Sequence, residues 1–522
     1  MTRKDIYLPQ DIASSYDYII VGAGSAGSVL ATELARLQAG TILVIEEGGK
    51  AGHPQSRRPA LYPNLFQNPT ISHVDRTSPQ SSLAGRSLLV PSGKGWGGST
   101  LINAMILSCP HVADLERWHQ RLGPTWEPRM LYDLLQELLG LLVTHFDRDP
   151  ELHPISQEIL RIMSKESSVP SIFAYNRLVK KGRRESIWRV LPSSTSRNEI
   201  NALRGYQVES VELSCDRVVG VSLKRFPHNT PETIRANRAV ILSAGTLKTP
   251  IILMKSGIGK KESILMHRSL LIESPQVGQN LSDHLVFPIT FNSSKPSLPS
   301  LMDRGINRLW IEKGIGPLAS NIAELGAFGW QDENKTCKLL NLNETCRPSF
   351  QWHITPSHYL EYPTKIPATN AVSVGVTTLH PRSRGSIEWQ EDGTFCINPN
   401  YLNDARDEED LKTVVKWTRE WIYNCPWKSI LGDELIPGVR RQTDESIGGL
   451  LRRLSSTIYH YVGTAAMGTQ SDSVCDPRFR VRGCEGLYVC DGSSLPEQVS
   501  GNPQISIMLL ALKLARDIAG TH

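Results

Sequence analysis

The sequence predicts a mixed α/β fold in two parts, and three patterns along the chain carry that expectation. Near the N-terminus, Tyr18–Val21 is a short β-type run, Gly22–Gly27 is glycine-rich, a helical stretch follows to about Gln38, and Ile42–Ile45 is a second apolar run ending in Glu46. That order is a βαβ unit, with Gly40 stopping the helix before the second strand. From about 285 to 450, strand-like runs such as Ser349–Ile354 and Ala371–Thr377 alternate with helices such as Glu409–Trp421, which predicts a second domain. After Tyr459 the chain returns to strand and turn chemistry at Leu487–Gly492 and closes with a helix over about Gln504–Ile518. Residues 1–284 and 451–522 are therefore expected to form one domain and residues 285–450 the other.

Between these landmarks, Gly48–Leu101 is rich in Gly, Pro and Ser and is expected to be extended and loop-rich. Leu115–Leu142 carries a helical pattern, while Tyr206–Leu213, Val218–Leu223 and Ala239–Leu242 are expected as strands at the edge of the first domain. No internal repeat or low-complexity tract occurs.

A chain of 522 residues with 40% hydrophobic content can bury a large core. Its net charge of +5 is small and its Lys and Arg are scattered, which gives no reason to expect a nucleic-acid partner. The densest basic run, Lys180, Lys181, Arg183 and Arg184, is expected to be a solvated surface segment. Nine cysteines form no CxxC pair and no metal-ligand pattern, so free thiols and no metal are expected. The first residues lack the apolar core of a secretory signal, and no run of 18 apolar residues occurs, so a cytoplasmic location without a membrane span is the expectation. Asn292, Asn334 and Asn343 head glycosylation-type triplets and are taken as chance matches in polar loops.

The chemistry begins at Gly22, Gly24 and Gly27, with Ser25 and Ala26 between them. These glycines permit a tight turn, a close approach of backbone to a pyrophosphate, and close packing of helix on strand; the helix start supplies N–H donors and partial positive charge. Glu46, placed 19 residues beyond Gly27, can accept the hydroxyls of an adenosine ribose and disfavours a 2′-phosphate. The unit thus predicts Rossmann-like dinucleotide binding, without separating FAD from NAD. A second glycine-dense stretch, Gly93 to Met105, contains Gly97, Gly98 and Asn103. Its backbone can lie against a flat ring system, and Asn103 can hydrogen-bond the ring's edge.

From these residues onward the chain resembles the glucose, methanol and choline (GMC) oxidoreductase family over about Tyr16–Gly520. Gly93–Met105 is similar to the family's first signature, and Gly245–Pro250 continuing through Ser256–Gly259 to its second. Val277–His284, Tyr459–Gly468 and Asp491–Ser493 through Asn502–Pro503 match three further family blocks. Five ordered blocks at compatible spacing are far more specific than any one alone. The resemblance implies a Rossmann-like FAD-binding domain and a second, substrate-binding domain built on an antiparallel sheet with helices. It also implies cofactor contacts at Val208, Asp491, Gly492 and Pro503, and a catalytic pair at His460 and Asn502. Some members attach FAD through a His in the double-glycine loop; Ile102 stands there in this chain, which implies non-covalent FAD.

Alcohol oxidation asks for such a pair on chemical grounds as well. The O–H proton must leave as hydride departs, which calls for a base poised near neutral pH, and imidazole fits. His460 would take the proton, while Asn502 can hold the developing alkoxide without competing as a base. The final helix begins just after Asn502, so its positive end can stabilise the reduced flavin. Glu324 and His353 match substrate-pocket positions of choline-oxidising members, yet Ile322 and Ala323 stand where those members place aromatic rings. An ammonium cage is disfavoured on that basis, and the hydroxymethyl group of an amino sugar, as in aminoglycoside biosynthesis, is the expected substrate. Choline, pyridoxine or aryl-alcohol oxidation, and hydroxynitrile lyase activity on the same fold, remain the alternatives. The electron acceptor is oxygen or another partner.

Overall fold

Strand β1 (Ser15–Val21), helix α1 (Ser25–Arg36) and strand β2 (Ile42–Glu46) form the expected βαβ unit, with β1 and β2 parallel from Tyr18↔Ile42 to Val21↔Ile45. Ile19, Ile20, Ile42, Leu43 and Val44 are wholly buried, because a parallel strand is covered on both faces and its apolar residues need not alternate. The computed structural model describes residues 13–49, 53–146, 151–165, 172–191, 200–225, 231–301, 304–341, 344–358 and 370–520. Asn343 therefore lies outside the described residues.

The Gly48–Leu101 stretch is more ordered than expected. It contains 3-10 turns at Pro54–Arg57 and Pro59–Leu65 and a hairpin pairing Ser72–Arg76 with Leu89–Gly93. The single helical stretch expected over Leu115–Leu142 is two helices, α2 (Val112–Leu122) and α3 (Pro128–Leu142). Gly123, at φ +87°, ends the first, and Pro128 occupies the first turn of the second.

The first sheet is completed by β3 (Ile200–Arg204), β4 (Tyr206–Ser214), β5 (Arg217–Arg225) and β6 (Pro231–Leu242), in the order β3-β2-β1-β6-β5-β4. β6 starts eight residues earlier than the apolar run Ala239–Leu242, since its polar first half pairs with β5 rather than entering the core. The short strand Leu487–Val489 pairs in parallel with the apolar end of β6, so the C-terminal segment re-enters this sheet.

The second sheet is antiparallel along β7 (Leu285–Ser293), β8 (Leu325–Gln331), β9 (Phe350–Thr355), β10 (Ala371–Thr378) and, after helix α4 (Ala405–Asn424), β11 (Leu431–Ile436). The spatial order is Cys337–Leu339, β8, β9, β10, β7, β11. Asp404 caps α4 through the Arg406 N–H, and Trp417 and Trp421 of α4 meet Trp352 of β9 edge-on or tilted. Two short strands tie this sheet to the rest of the chain: Phe173–Ala174 pairs with β8, and Ser456–Thr457 pairs with β7. The last helix, α5 (Gln504–Ala519), packs against α1 and ends at Gly520 in the left-handed conformation.

Candidate active site

A cavity of about 360 Å³ runs between the two sheets, from the Gly22 turn at one end to His460 and Asn502 at the other. At the first end it is built from backbone. Gly22 has φ +101°, and a Cβ there would lie 2.4 Å from the Ser243 carbonyl oxygen. Gly24 is the N-cap of α1 and offers no side-chain cap, which leaves first-turn N–H groups free beside the cavity-lining Ser25 and Ala26. Gly27 does not line the cavity; a Cβ there would sit 2.0 Å from the Gly22 carbonyl oxygen, so its role is close packing of helix on strand.

Glu46 lines the same end and is buried. Its carboxylate accepts N–H groups from Ala23 at 3.0 Å, Gly48 at 2.8 Å and Gly95 at 2.9 Å, so it joins three loops at once. Burial raises its pKa to about 6 against the pull of those donors. One bond falls on Oε2 and two on Oε1, and a carboxylate offers about four acceptor sites, which leaves capacity for a ligand hydroxyl.

The double-glycine loop is pressed against this turn: a Cβ on Gly98 would be 2.7 Å from the Gly24 Cα. Gly97, at φ +117°, does not line the cavity; its missing side chain makes room for Ser186. Asn103 does line it, and its amide is held on both sides, donating to Gln504 Oε1 at 2.7 Å and accepting from Arg184 Nη1 at 2.8 Å. The solvated reading of the basic run fails at Arg184. That guanidinium is buried, bonds the carbonyls of Ser56 and Thr100 as well as Asn103, and has its pKa pushed down to about 9 by burial. Nothing local in a row of basic residues marks which one turns inward, because the partners lie 81 and more residues away in sequence.

Val208, Asp491, Gly492 and Pro503 also line the cavity. Asp491 accepts from the Gly245 and Ser493 N–H groups and from the Thr249 and Ser493 hydroxyls, which welds the second glycine signature to the C-terminal turn. Pro503 precedes α5, whose first turn likewise has no side-chain cap.

The far end is built from side chains. Leu285 of β7 pairs with Thr457, and His284, which directly precedes Leu285, is thereby brought to His460, three residues beyond Thr457. Asp283 fixes both corners: it accepts the His460 N–H at 2.8 Å and the hydroxyls of Tyr401 and Thr457 at 2.5 Å each. Gln498 donates to the His460 carbonyl at 2.9 Å. The His460 ring is gripped at both nitrogens, with Nδ1 2.9 Å from His284 Nδ1 and Nε2 2.9 Å from Asn502 Nδ2. Burial lowers the His460 pKa well below that of free imidazole, with His284 and His353 adding to the effect, so the ring is neutral. His284 ends the Val277–His284 block, but nothing in that block signals this contact, since His460 lies 176 residues away.

His353 lines the cavity beside this pair; its Nδ1 meets the Tyr175 hydroxyl at 3.0 Å, and burial lowers its pKa to about 3. Glu324 does not line the cavity. Its wholly buried carboxylate accepts the His153 N–H at 2.8 Å and the Ser320 hydroxyl at 2.6 Å behind the wall, where burial raises its pKa. The expectation of a substrate-facing carboxylate therefore gives way to a structural one: strand β8 begins at the next residue, and the side chain ties its entry to the start of the helix Pro154–Met163.

Family models described as GMC oxidoreductase match residues 16–286 and 381–511, which together span most of the chain. The chain belongs to the GMC oxidoreductase family. Among curated relatives it is 31% identical to an alcohol dehydrogenase [acceptor] of Pseudomonas putida, over 96% of this chain and 95% of the relative. It is 28% identical to an oxygen-dependent choline dehydrogenase of Cronobacter sakazakii, over 97% and 95%. The fold is that of the pyridoxine 4-oxidase from Mesorbium loti, with TM-score 0.83 at 23% identity, covering 97% of this chain and 99% of that one. This is an FAD-dependent oxidoreductase, and the uncapped N–H groups at Gly24, the open glycine cradle and the acceptor capacity of Glu46 fit that cofactor. Among the described residues no group of His, Cys, Asp and Glu is placed to hold a metal ion, and no helix is long and apolar enough to cross a membrane.

Proposed function

We propose that the enzyme oxidises an uncharged primary alcohol to its aldehyde, with His460 as the base and Asn502 as the donor to the alcohol oxygen. The observation that carries this reading is the 2.9 Å contact between His460 Nε2 and Asn502 Nδ2 at the end of a cavity that begins at the dinucleotide turn. FAD, when bound, supplies the hydride acceptor that no side chain can replace. The protein's part is to take the hydroxyl proton at His460 Nε2, the alcohol replacing the Asn502 N–H that meets this lone pair in the free protein, and to hold the oxygen on the Asn502 amide N–H. Ile102, buried at the position where some members carry a His, supports non-covalent attachment, which leaves FAD extractable by acid or denaturant.

The lack of charge on the substrate follows from the walls. His353, Ala323, Ile106, Val286 and Gly375 line this end, and among the described residues the Asp and Glu that line the cavity are Glu46, Glu47 and Asp491, of which Glu46 and Asp491 bond the glycine loops. The amino-sugar expectation relied on Glu324 facing an ammonium, and with both its oxygens engaged elsewhere that support is gone. The Pseudomonas putida relative is an alcohol dehydrogenase, which agrees with an alcohol substrate. Anaerobic mixing with uncharged primary alcohols, choline and an amino sugar tests the proposal by loss of the flavin's visible absorbance. Bleaching by the uncharged alcohols is expected, and His460→Ala should remain yellow while bleaching about 10²- to 10⁴-fold more slowly. A spectrum unchanged by every alcohol, or bleached by choline alone, would overturn the proposal.

A further inference from the structure

We propose that His284 is a positioning residue that holds His460 in the tautomer with its proton on Nδ1, leaving Nε2 unprotonated at the cavity end. This rests on the reading of His460 as the base, since only an unprotonated ring nitrogen can take the substrate proton.

The assignment begins at Leu379, whose carbonyl oxygen lies 2.9 Å from His284 Nε2. A carbonyl can only accept, so Nε2 of His284 carries a proton. The ring is wholly buried, and the help that the Leu379 carbonyl and the Asp114 carboxylate give to a charge on it is outweighed by that burial, with His380 opposing the charge as well. Burial accordingly holds His284 neutral, its pKa pushed down to about 3. A neutral imidazole protonated on Nε2 presents a lone pair at Nδ1. That lone pair faces His460 Nδ1 at 2.9 Å, and the proton between the two rings therefore belongs to His460. His460, also neutral, keeps its own lone pair on Nε2, where the Asn502 amide donates at 2.9 Å.

The line continues to Gln351, whose Nε2 approaches Asn502 Oδ1 at 3.5 Å. From Gln351 to Leu379 every N–H points the same way, and each acceptor meets a donor. The opposite tautomer of His460 would set two lone pairs against each other between the rings and two N–H groups against each other at Asn502. The carbonyl of β10's next residue thus dictates, through one imidazole, which nitrogen of a second imidazole is free to act.

The test is the ¹⁵N spectrum of substrate-free holoenzyme labelled at histidine, with His460 assigned by its disappearance in His460→Gln. A protonated Nδ1 and an unprotonated Nε2 are expected for His460 in the wild type. His284→Leu, which removes the acceptor, should move the Nε2 resonance toward the protonated range, and His284→Asn, whose amide oxygen can stand where Nδ1 stood, should restore it. Wild-type His460 with its proton on Nε2, or an unchanged spectrum in a folded, FAD-loaded His284→Leu, would overturn the proposal. Should His284→Leu fail to fold, the wild-type and His284→Asn spectra decide it. The spectrum needs no turnover, so it is separable from the base assignment: an unimpaired His460→Ala would remove that assignment and leave the tautomer intact.

Discussion

The two ends of the cavity solve different problems with different materials. At the Gly22 end the protein recognises a ligand with backbone, and side chains matter there mainly by their absence: Cβ atoms at Gly22, Gly27 and Gly98 would each strike backbone atoms within 2.7 Å. At the His460 end the cavity is built from side chains, and each is held by another, from Asp283 and His284 through His460 to Asn502. Backbone recognition tolerates no added atom, whereas a side-chain relay can lose a member and retain part of its function.

That contrast can be broken by substitution. Gly22→Ala adds a methyl 2.4 Å from the Ser243 carbonyl oxygen at φ +101°, and the purified variant should be colourless, with FAD absorbance lost rather than reduced. A yellow Gly22→Ala protein would show that the turn can give way. Asn502→Ala should keep its FAD and slow anaerobic flavin reduction by about 10², because on the proposed mechanism one donor to a developing alkoxide is removed while the base remains. Equal losses in Asn502→Ala and His460→Ala would instead mean that the two act as an indivisible unit.

The pH response sharpens the comparison further. Burial lowers the pKa of His284, His353 and His380 to about 3 and of His153 to about 4. Each binds a proton more readily in the unfolded chain, so stability is lost as pH falls below about 6.5, the value for unfolded histidine. Glu46 and Asp283, raised to about 6, act the other way, since their folded forms take up a proton first as pH falls through that value. The four histidines outweigh the two acids, and Tm measured by calorimetry should fall between pH 7 and pH 5. A Tm that rises over this range would mean that the acids govern. The smallest effect belongs to Glu324→Gln, which should change kcat/KM for an uncharged alcohol by less than about tenfold, or ~1.4 kcal/mol, because the carboxylate faces away from the cavity. A larger loss in a variant of unchanged Tm would put Glu324 back against the substrate.

Local pattern carried the βαβ unit well, since its strands are continuous apolar runs and its turn is marked by glycines whose need is set within a few residues. It carried α5 nearly to the residue, expected to end near Ile518 and found to end at Ala519 before Gly520. It missed β3, a five-residue edge strand of mixed polarity, and the polar half of β6, because both are defined by the neighbour they pair with rather than by their own composition. His460 and Asn502 were reached through motif resemblance and stand in contact. Arg184 and Glu324 were misjudged for one shared reason: a charged residue declares its chemistry in the sequence but not the direction in which it points.

By itself, then, the sequence determined the glycine turn, the acid that follows it, and the residue types able to move a proton, since each depends on the steric and acid–base character of one residue or a short run. Which nitrogen of His460 is free, which arginine is buried beneath Asn103, and whether Glu324 meets the substrate were decided only when distant segments were brought to hydrogen-bonding distance. Hydrogen bonds act over about 3 Å in space and are indifferent to separation along the chain, so the direction of a side chain, and with it its role, is a property of the folded whole.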